Sequence, residues 1–410
     1  MKVLREHIPQ GPHFIMAMLG LALLLGWGAG LLCRRLKVPM VVGYIITGIF
    51  LGRSVLGIFN ADNFEGLVFF SHLALACIGF DIGGELALRK LRGLGKSIIW
   101  ISLLEALGAS VLVAAAVYLY TGQPATALVF GALASATAPA ATVDVLREYN
   151  CSGPLTSTLF AVVGIDDAIA IIIYAFSIFF AKMLLVRGEM NAAEAFLRPA
   201  LEILGALALG CALGLAFLIL IRRYAARRGL LVLTCGVIIL ATGLANQLGL
   251  SLILTNMAMG LTVVNLTGWR RDDVFEVMRG VTQPLFVVFF VLVGAQLDAG
   301  KLWGLGVIGL LYIVFRSAGK QAGSWLGAAV SRAPDTVAKY LGLCLFSQAG
   351  VAIGLSIQTW LTLGGGRYGD AGVELGNTAI SVIAATTLVF QLIGPPCTRY
   401  AVFKAGETNP

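Results

Sequence analysis

The sequence predicts an all-α polytopic membrane protein with about thirteen transmembrane helices. Of its 410 residues, 59% are hydrophobic and only 12% are charged, and the mean hydropathy is +0.91. A soluble globular domain is far more polar than this. The apolar residues are also gathered into runs of about 20 residues, the length that a membrane-crossing helix requires.

Thirteen apolar runs follow one another along the chain, and each predicts one transmembrane helix. They cover residues 12–34, 38–57, 64–84, 97–119, 124–146, 155–181, 195–221, 229–247, 250–266, 280–298, 302–330, 336–362 and 376–402. The first run is too long for the hydrophobic region of a signal peptide, and no small-residue cleavage pattern follows it. We therefore expect it to be a retained first helix.

The distribution of basic residues predicts the orientation in the membrane. With each loop numbered by the helix before it, the odd loops and the C-terminal segment hold nineteen of the 29 Lys and Arg residues, against eight in the even loops and the N-terminal segment. The positive-inside rule then places the N-terminus outside and the C-terminus in the cytoplasm. The formal charge of +8 is explained by this topology, so nucleic-acid binding is not predicted.

No stretch between the apolar runs is long and polar enough to form a second domain. The longest, near 182–194 and 267–279, have the size of linkers, so a single membrane transporter domain without a soluble regulatory domain is expected. The seven cysteines are scattered singly, without the spacing of a metal site. With no nucleophile–base pair either, the pattern predicts neither an enzyme nor a resident cofactor.

Two of the runs are interrupted by small and polar residues. These interruptions are ASATAPAAT, residues 134–142, and SQAGVAIGLS, residues 347–356, which includes Gln348 as a candidate support. Pro139 cannot continue an ordinary helix, and such breaks survive at membrane depth only where they line a cavity or pack in protein. Paired interruptions in two halves of a chain predict inverted repeats with a binding site near the membrane centre.

The segment VVGIDDAIAI, residues 162–171, places two adjacent carboxylates inside an apolar run. Asp166 is about twelve residues into that run, or roughly 18 Å, which is near the middle of the bilayer. A carboxylate at this depth costs about 2.5–3.5 kcal/mol, so Asp166 and Asp167 must be protonated, paired or bound to a cation. A site that holds either protons or a cation is what an antiporter requires.

A second charged element is FRSAGKQAG, residues 315–323, in which Arg316 and Lys320 share one helix face. These two cations face three buried carboxylates, Asp166, Asp167 and Glu105, which leaves one negative charge for a monovalent cation. A buried lysine can lose its proton, whereas an arginine stays charged. We therefore expect Lys320 to pair with Asp166 in the empty state, and Arg316 to form a structural ion pair with Glu105.

The first interruption supplies further candidate ligands. Ser135, Thr137 and the backbone carbonyls freed by the break are hard oxygen donors of the kind that alkali cations prefer. Together with the aspartates they predict a site for protons and one monovalent cation at the broken helix.

Several of these motifs resemble the monovalent cation/proton antiporter superfamily. They are GIDDA (164–168), SATAPAAT (135–142), the R-x-x-x-K helix around Lys320, LKVPMVVGYIITGIFLG (36–52) and GPPCTRYAVFKAGE (394–407). The resemblance covers essentially the whole chain. The double aspartate resembles that of the electrogenic sodium/proton antiporters of the NhaA and NapA type.

The resemblance implies an NhaA-like fold, in which two broken helices cross, and a homodimer that works by elevator-like alternating access. It implies an ion-binding core at approximately 64–181 and 280–362 and a dimerisation part at approximately 12–57 and 195–266. By position, Asp167 resembles the cation-binding aspartate and Asp166 the aspartate that pairs with the lysine. Electroneutral members have Asn in place of the first aspartate, so Asp166 implies two protons for each Na⁺ or Li⁺.

Other functions stay open on the sequence. The potassium-efflux branch shares much of the remaining sequence, so a K⁺/H⁺ antiporter is the first alternative. A channel-like pore and a membrane sensor that uses the aspartates to read pH are the others. The midplane carboxylates and lysine favour compulsory exchange, because a permanently open pore gains little from tight cation binding.

Overall fold

A computed structural model describes residues 12–36, 40–52, 55–59, 61–87, 95–185, 192–224, 227–266, 271–296, 306–366 and 368–408. All regular secondary structure in these ranges is helical, which confirms the all-α class. The fifteen helices are α1 (Pro12–Arg35), α2 (Met40–Leu51), α3 (Ala61–Glu85), α4 (Lys96–Thr121), α5 (Pro124–Ser135), α6 (Pro139–Glu148), α7 (Pro154–Leu185), α8 (Ala192–Tyr224), α9 (Arg227–Gln247), α10 (Leu252–Leu266), α11 (Arg271–Gln296), α12 (Gly306–Ser331), α13 (Asp335–Cys344), α14 (Gly350–Leu363) and α15 (Gly369–Ala405).

Eleven of the predicted apolar runs each overlap one helix, and the other two runs each overlap a pair of helices. The run 124–146 holds α5 and α6, and the run 336–362 holds α13 and α14. Within the described residues, six helical segments are long and apolar enough to cross a membrane: Ile15–Arg35, Lys96–Thr121, Pro154–Leu185, Leu201–Arg223, Gly229–Gln247 and Gly369–Ala405. The count of thirteen membrane crossings stays a prediction.

Local sequence explains where the helices around the first break begin and end. Helix α4 ends at Thr121 because Gly122 adopts a left-handed conformation (φ 67°), from which its N–H donates to the carbonyl of Tyr118. Pro124 and Pro139 stand at the first positions of α5 and α6, where a missing N–H leaves no hydrogen bond unmade. The predicted break at Pro139 is therefore present as the start of a new helix.

The most extensive helix contact in the described structure joins α4 to α12. It depends on glycines, because a Cβ added at Gly323 would lie 2.6 Å from the Cα of Glu105, and one at Gly327 would lie 2.6 Å from the Cα of Ile101. One at Gly319 would be equally close to the backbone of α4. Small residues thus let the two backbones touch, as is usual where helices associate inside a membrane.

The same packing arrangement occurs twice, as two structural repeats require. Helix α2 packs on α11, and α3 packs on α10. At both contacts glycines on the two helices face the partner's backbone: Gly48 faces Gly294, and Gly83 and Gly260 lie across the other contact. If α2–α7 and α10–α15 are equivalent repeats, α2 corresponds to α10 and α3 corresponds to α11. The contact of α2 with α11 is then equivalent to the contact of α10 with α3. The inverted orientation of the repeats stays a prediction.

Candidate functional site

The two interruptions meet each other inside the protein. Helix α5 ends at Ser135 and α6 begins at Pro139, while α13 ends at Cys344 and α14 begins at Gly350. Across the gap, the backbone N–H of Ala138 donates to the carbonyl of Ser347 at 2.9 Å. The hydroxyl of Thr142 donates to the carbonyl of Cys344 at 3.0 Å. These two bonds tie the first broken helix to the second.

Arg316 closes the crossing from α12. Its guanidinium donates to the carbonyls of Ala134 at 3.1 Å and Ala136 at 2.7 Å in the first interruption. It also donates to those of Phe346 at 2.8 Å and Ser347 at 3.4 Å in the second. The last carbonyls of a helix have no partner within it and carry partial negative charge. Arg316 therefore places one fixed positive charge at the C-terminal end of α5 and at the interruption that follows α13.

The predicted ion pair between Arg316 and Glu105 is wrong. The carboxylate of Glu105 lies 2.7 Å from Nζ of Lys320 instead, and the described hydrogen bonds of Arg316 go to backbone carbonyls. The reason is geometric: the planar guanidinium with its five N–H donors can reach several carbonyls at once. Lys320, one helical turn further along α12, lies where the α4 backbone touches α12.

Gln348, the predicted support of the second break, contacts the half-helix α5 and the helix α12. Its side-chain amide donates to the hydroxyl of Tyr312 at 2.6 Å and to the carbonyl of Leu133 at 3.3 Å. The backbone carbonyl of Gln348 accepts a hydrogen bond from the side-chain amide of Gln391 at 2.7 Å. The Arg316 guanidinium also lies over the ring of Phe390, with its carbon Cζ 4.4 Å from the ring centroid.

Sequence reasoning missed Tyr312, Gln391, Phe390 and Thr142. One signal was available for Tyr312, which precedes Arg316 by four residues and so continues the helix face that carries Arg316 and Lys320. Phe390 and Gln391 lie on α15, far from the site in sequence, and no local pattern marks them. Thr142 is the last residue of the ASATAPAAT interruption, but its partner on α13 is distant in sequence.

Lys320 is the centre of the buried cluster. Its ammonium donates to the carbonyl of Ser135, to Oγ1 of Thr137 at 2.8 Å and to a carboxylate oxygen of Asp166 at 3.4 Å. The predicted contact between Lys320 and Asp166 is therefore present, although Glu105 is the nearer carboxylate. The role of this contact in transport stays a prediction.

Asp166 and Asp167 lie on α7 with exposed fractions of 1% and 6%. Neighbouring residues on a helix point about 100° apart, so the two carboxylates have different surroundings. One oxygen of Asp166 contacts Lys320, and the other has no hydrogen-bond partner in the part of the chain that the structure describes. That oxygen is free to accept a proton or to contact a cation.

The two predicted oxygen donors of the first break are used differently. The hydroxyl of Ser135 donates to the carbonyl of Ala132 at 2.6 Å, within its own helix, while the Ser135 carbonyl faces Lys320. The hydroxyl of Thr137 accepts from Lys320. Both residues thus contribute an oxygen to the cluster, and cation binding by either oxygen stays a prediction.

A cavity of about 240 Å³ lies near the end of α7 that is predicted to face outward. It is enclosed by α7, α8, α14 and the segment that joins α9 to α10, and its lining includes Tyr174, Lys182, Glu202 and Gln358. The hydroxyl of Tyr174 is 3.0 Å from Oγ1 of Thr359. Tyr174 stands seven residues after Asp167 on α7, about two helical turns away.

Comparison with known proteins decides the family. A model of the transmembrane sodium/hydrogen exchanger family matches residues 19–401. The chain belongs to the sodium/hydrogen exchanger family. The match includes both interruptions, the aspartate pair and the helix that carries Arg316 and Lys320. Together with the apolar helices, it makes the chain a multi-pass membrane protein.

Relatives of this exchanger family member are named for the transport of different ions. The glutathione-regulated potassium-efflux system protein KefC of Klebsiella pneumoniae is 26% identical over 275 residues, which are 65% of this chain and 43% of KefC. The ammonium/H⁺ antiporter subunit AmhT of Alkalihalophilus pseudofirmus is 25% identical, over 72% of this chain and 73% of AmhT. The high-affinity Na⁺/H⁺ antiporter NhaS3 of Synechocystis is 24% identical, over 67% of this chain and 66% of NhaS3. The chain thus spans less than half the length of KefC.

A solved structure has the same fold as this member of the exchanger family. It is the sodium/proton antiporter MjNhaP1 from Methanocaldococcus jannaschii at pH 8, with a TM-score of 0.76 and 19% identity. The likeness covers 95% of this chain and 98% of MjNhaP1. At this identity the likeness concerns the fold alone.

Proposed function

We propose that this exchanger family member is a secondary active antiporter that exchanges protons for Na⁺ or Li⁺. The observation that carries the proposal is the buried Lys320 ammonium, which contacts Asp166 and Glu105 beside the broken helix that holds Thr137. A fully buried cluster of this kind is costly in a membrane. A transporter can use it because protons and a cation compete for the same carboxylates.

Asp167 is the proposed main cation ligand, and Asp166 the carboxylate that exchanges between Lys320, protons and the cation. In the described residues no group of three or more His, Cys, Asp or Glu is placed to hold a metal ion. A weakly held alkali ion fits such a site better than a resident transition metal, since hydroxyl and carbonyl oxygens supply the other ligands. The cation is cargo, not a cofactor.

Exchange of two protons for one cation is proposed, as in the NhaA- and NapA-type antiporters that the double aspartate resembles. One net charge then crosses the membrane per cycle, and the membrane potential contributes about 2.3 kcal/mol per 100 mV. The cavity beside Tyr174 supports an access route from the predicted outer side, and elevator-like motion would expose the aspartates to each side in turn.

The proposed architecture is a homodimer in a cell (inner) membrane, with the N-terminus outside and the C-terminus in the cytoplasm. Residues of approximately 64–181 and 280–362 would form the moving core, and approximately 12–57 and 195–266 the dimerisation part. All members of the buried cluster lie in the proposed core. The lipid bilayer and the transported ions are the only other partners proposed.

A K⁺/H⁺ antiporter is the second candidate, because the potassium-efflux protein KefC matches 65% of this chain at 26% identity. AmhT and NhaS3 match at similar identity, and their names refer to ammonium and Na⁺. Ion selectivity has to be measured. A channel-like pore or a pH sensor is disfavoured by the lysine held between two buried carboxylates.

Proton flux in proteoliposomes tests the proposal. Purified protein is reconstituted with an imposed pH gradient, and Na⁺, Li⁺, K⁺ and Rb⁺ are added in turn, with and without a clamped membrane potential. Collapse of the gradient by Na⁺ or Li⁺ at a voltage-dependent rate supports electrogenic exchange. A response to K⁺ alone favours the second candidate, and ion flux without proton movement would mean a channel.

A further inference from the structure

Glu105 belongs to neither broken helix nor to the aspartate helix α7. It lies on α4, its side chain is fully buried, and Oε2 is 2.7 Å from the Lys320 ammonium. Its other oxygen, Oε1, has no hydrogen-bond partner among the described residues.

The contact between Glu105 and Lys320 is fixed by the backbone on both sides. Lys320 stands between Gly319 and Gly323 on α12, and a Cβ at Gly323 would lie 2.6 Å from the Cα of Glu105. This close seam leaves α4 and α12 little freedom to separate near the pair. Asp166, by contrast, reaches Lys320 from α7 at 3.4 Å, which is the longer and weaker of the two contacts.

Charge counting shows what Glu105 adds. The described residues of α4, α7 and α12 include five buried charged side chains. They are two cations, Arg316 and Lys320, and three carboxylates, Glu105, Asp166 and Asp167, so their net charge is −1 when all are ionised. One bound monovalent cation makes the set neutral. Without Glu105 the empty site would already be neutral, and a cation would leave it positively charged in a low-dielectric environment, where such a charge is costly.

We propose that Glu105 is the permanent counter-ion of Lys320, and that it adds its negative charge to the field at the ion-binding site without ligating the cation. When Asp166 turns to a proton or a cation, Lys320 keeps its charge because Glu105 stays in contact with it. The transported protons are then carried by Asp166 and Asp167, and the Lys320 ammonium stays protonated throughout the cycle. This inference rests on the proposed exchange function and adds a residue to its site.

The test compares the cation KM of the wild type with that of Glu105→Gln in the proteoliposome assay. Loss of one negative charge from the buried site is expected to raise the KM for Na⁺ or Li⁺ about tenfold or more, with a smaller effect on kcat. The double variant Glu105→Gln/Lys320→Gln removes one charge of each sign, so its cation affinity, measured by cation-dependent thermal stabilisation, should return towards the wild-type value. A purely structural role for Glu105 predicts no such recovery.

Two further variants separate charge from folding. Glu105→Asp keeps the charge and should recover most of the cation affinity, although its side chain is shorter by one methylene. Glu374→Gln is the matched control, because Glu374 is an exposed glutamate on α15, where solvent screens its charge. Its KM should equal that of the wild type.

Cation-dependent thermal stabilisation of the purified protein gives a second readout that does not need transport. Wild-type protein should be stabilised by the transported cation, and Glu105→Gln should need about tenfold more of it. If wild type exchanges ions but Glu105→Gln has an unchanged KM, or the double variant shows no recovery, this inference fails alone. A wild type that neither exchanges nor is stabilised by any cation overturns the proposed function and this inference together.

Discussion

Arg316 donates a hydrogen bond from Nη2 to the backbone carbonyl of Ala136 at 2.7 Å, where the first broken helix is interrupted. The same guanidinium reaches the carbonyls of Phe346 and Ser347 at the second interruption. One side chain thus holds together two segments that are about 200 residues apart in sequence. The crossing should therefore depend on this side chain more than on any hydrogen bond between the segments themselves.

Arg316→Lys is expected to destabilise the protein although it keeps the charge. A single ammonium cannot reach four carbonyls around a crossing, and each buried carbonyl left without a partner costs about 1–3 kcal/mol. We expect a loss of about 2–4 kcal/mol, seen as a lower thermal unfolding midpoint in detergent. Arg34→Lys, at an exposed position at the end of α1, is the control. Equal thermal unfolding midpoints for the two variants would contradict the proposed role of Arg316 at the crossing.

Asp167→Asn is expected to abolish cation-dependent proton flux. An amide can neither bind a proton at this position nor supply the full charge of a cation ligand, yet it has nearly the same shape, so folding should be kept. Flux in proteoliposomes measures the effect, and Asp370→Asn, at an exposed position in the first turn of α15, is the control. Sodium-dependent exchange that persists in Asp167→Asn would rule out the proposed site.

Lys320→Ala is expected to weaken or uncouple transport. Without the ammonium, Asp166 and Glu105 lose their shared cation, so proton binding at these carboxylates and the charge moved per cycle should both change. The measurement is the pH profile and the voltage dependence of exchange. A variant in which neither differs from wild type would show that the Lys320 ammonium does not influence proton binding at these carboxylates.

Gly323→Ala is expected to disturb the seam between α4 and α12. The added methyl group would lie 2.6 Å from the Cα of Glu105, so the helices must separate, at a cost of about 1–3 kcal/mol. Separation should also lengthen the contact between Glu105 and Lys320 and raise the cation KM. Gly236→Ala on α9, where a methyl group meets nothing within 4 Å, should be neutral or slightly stabilising. A Gly323→Ala variant with wild-type stability and KM would show that the seam tolerates expansion.

Glu407→Gln is expected to loosen the start of the aspartate helix. The Glu407 carboxylate accepts hydrogen bonds from the backbone N–H groups of Leu155 at 2.7 Å and Thr156 at 2.7 Å, and from the Thr156 hydroxyl. A carboxylate is favoured at a helix N-terminus, and one NH₂ group of Gln would face a donor instead. The expected loss is about 1.5–3 kcal/mol in thermal unfolding. The exposed Glu374→Gln serves as control, and a Glu407→Gln midpoint equal to that of the control would contradict this role.

The sequence predicted most of the architecture because membrane helices carry their own signal. Backbone groups in a bilayer must be satisfied within each helix, so an apolar run of sufficient length already specifies an element. The breaks were predictable for a similar reason, since Pro139 excludes a continuous helix at one known position. By contrast, the contact of the second break with Leu133 and Tyr312 through Gln348 depends on residues distant in sequence.

The charged residues divide along the same line. That Asp166, Asp167, Glu105, Arg316 and Lys320 must be buried and must compensate one another follows from composition and the cost of charge in a membrane. Which carboxylate meets which cation does not follow, because helical spacing orients a side chain on its own helix but does not reveal the facing helix. Arg316 and Lys320 share a face, and only the tertiary structure separates their partners.

The sequence alone therefore determined the helical class, the places where helices break and the set of charges that a membrane would have to accommodate. The tertiary structure decided that Lys320 meets Glu105 and Asp166, and that Arg316 meets four backbone carbonyls. The physical reason is that hydrophobicity and proline act locally along the chain. Ion pairing, in contrast, is set by how closely glycine-lined helices such as α4 and α12 approach each other.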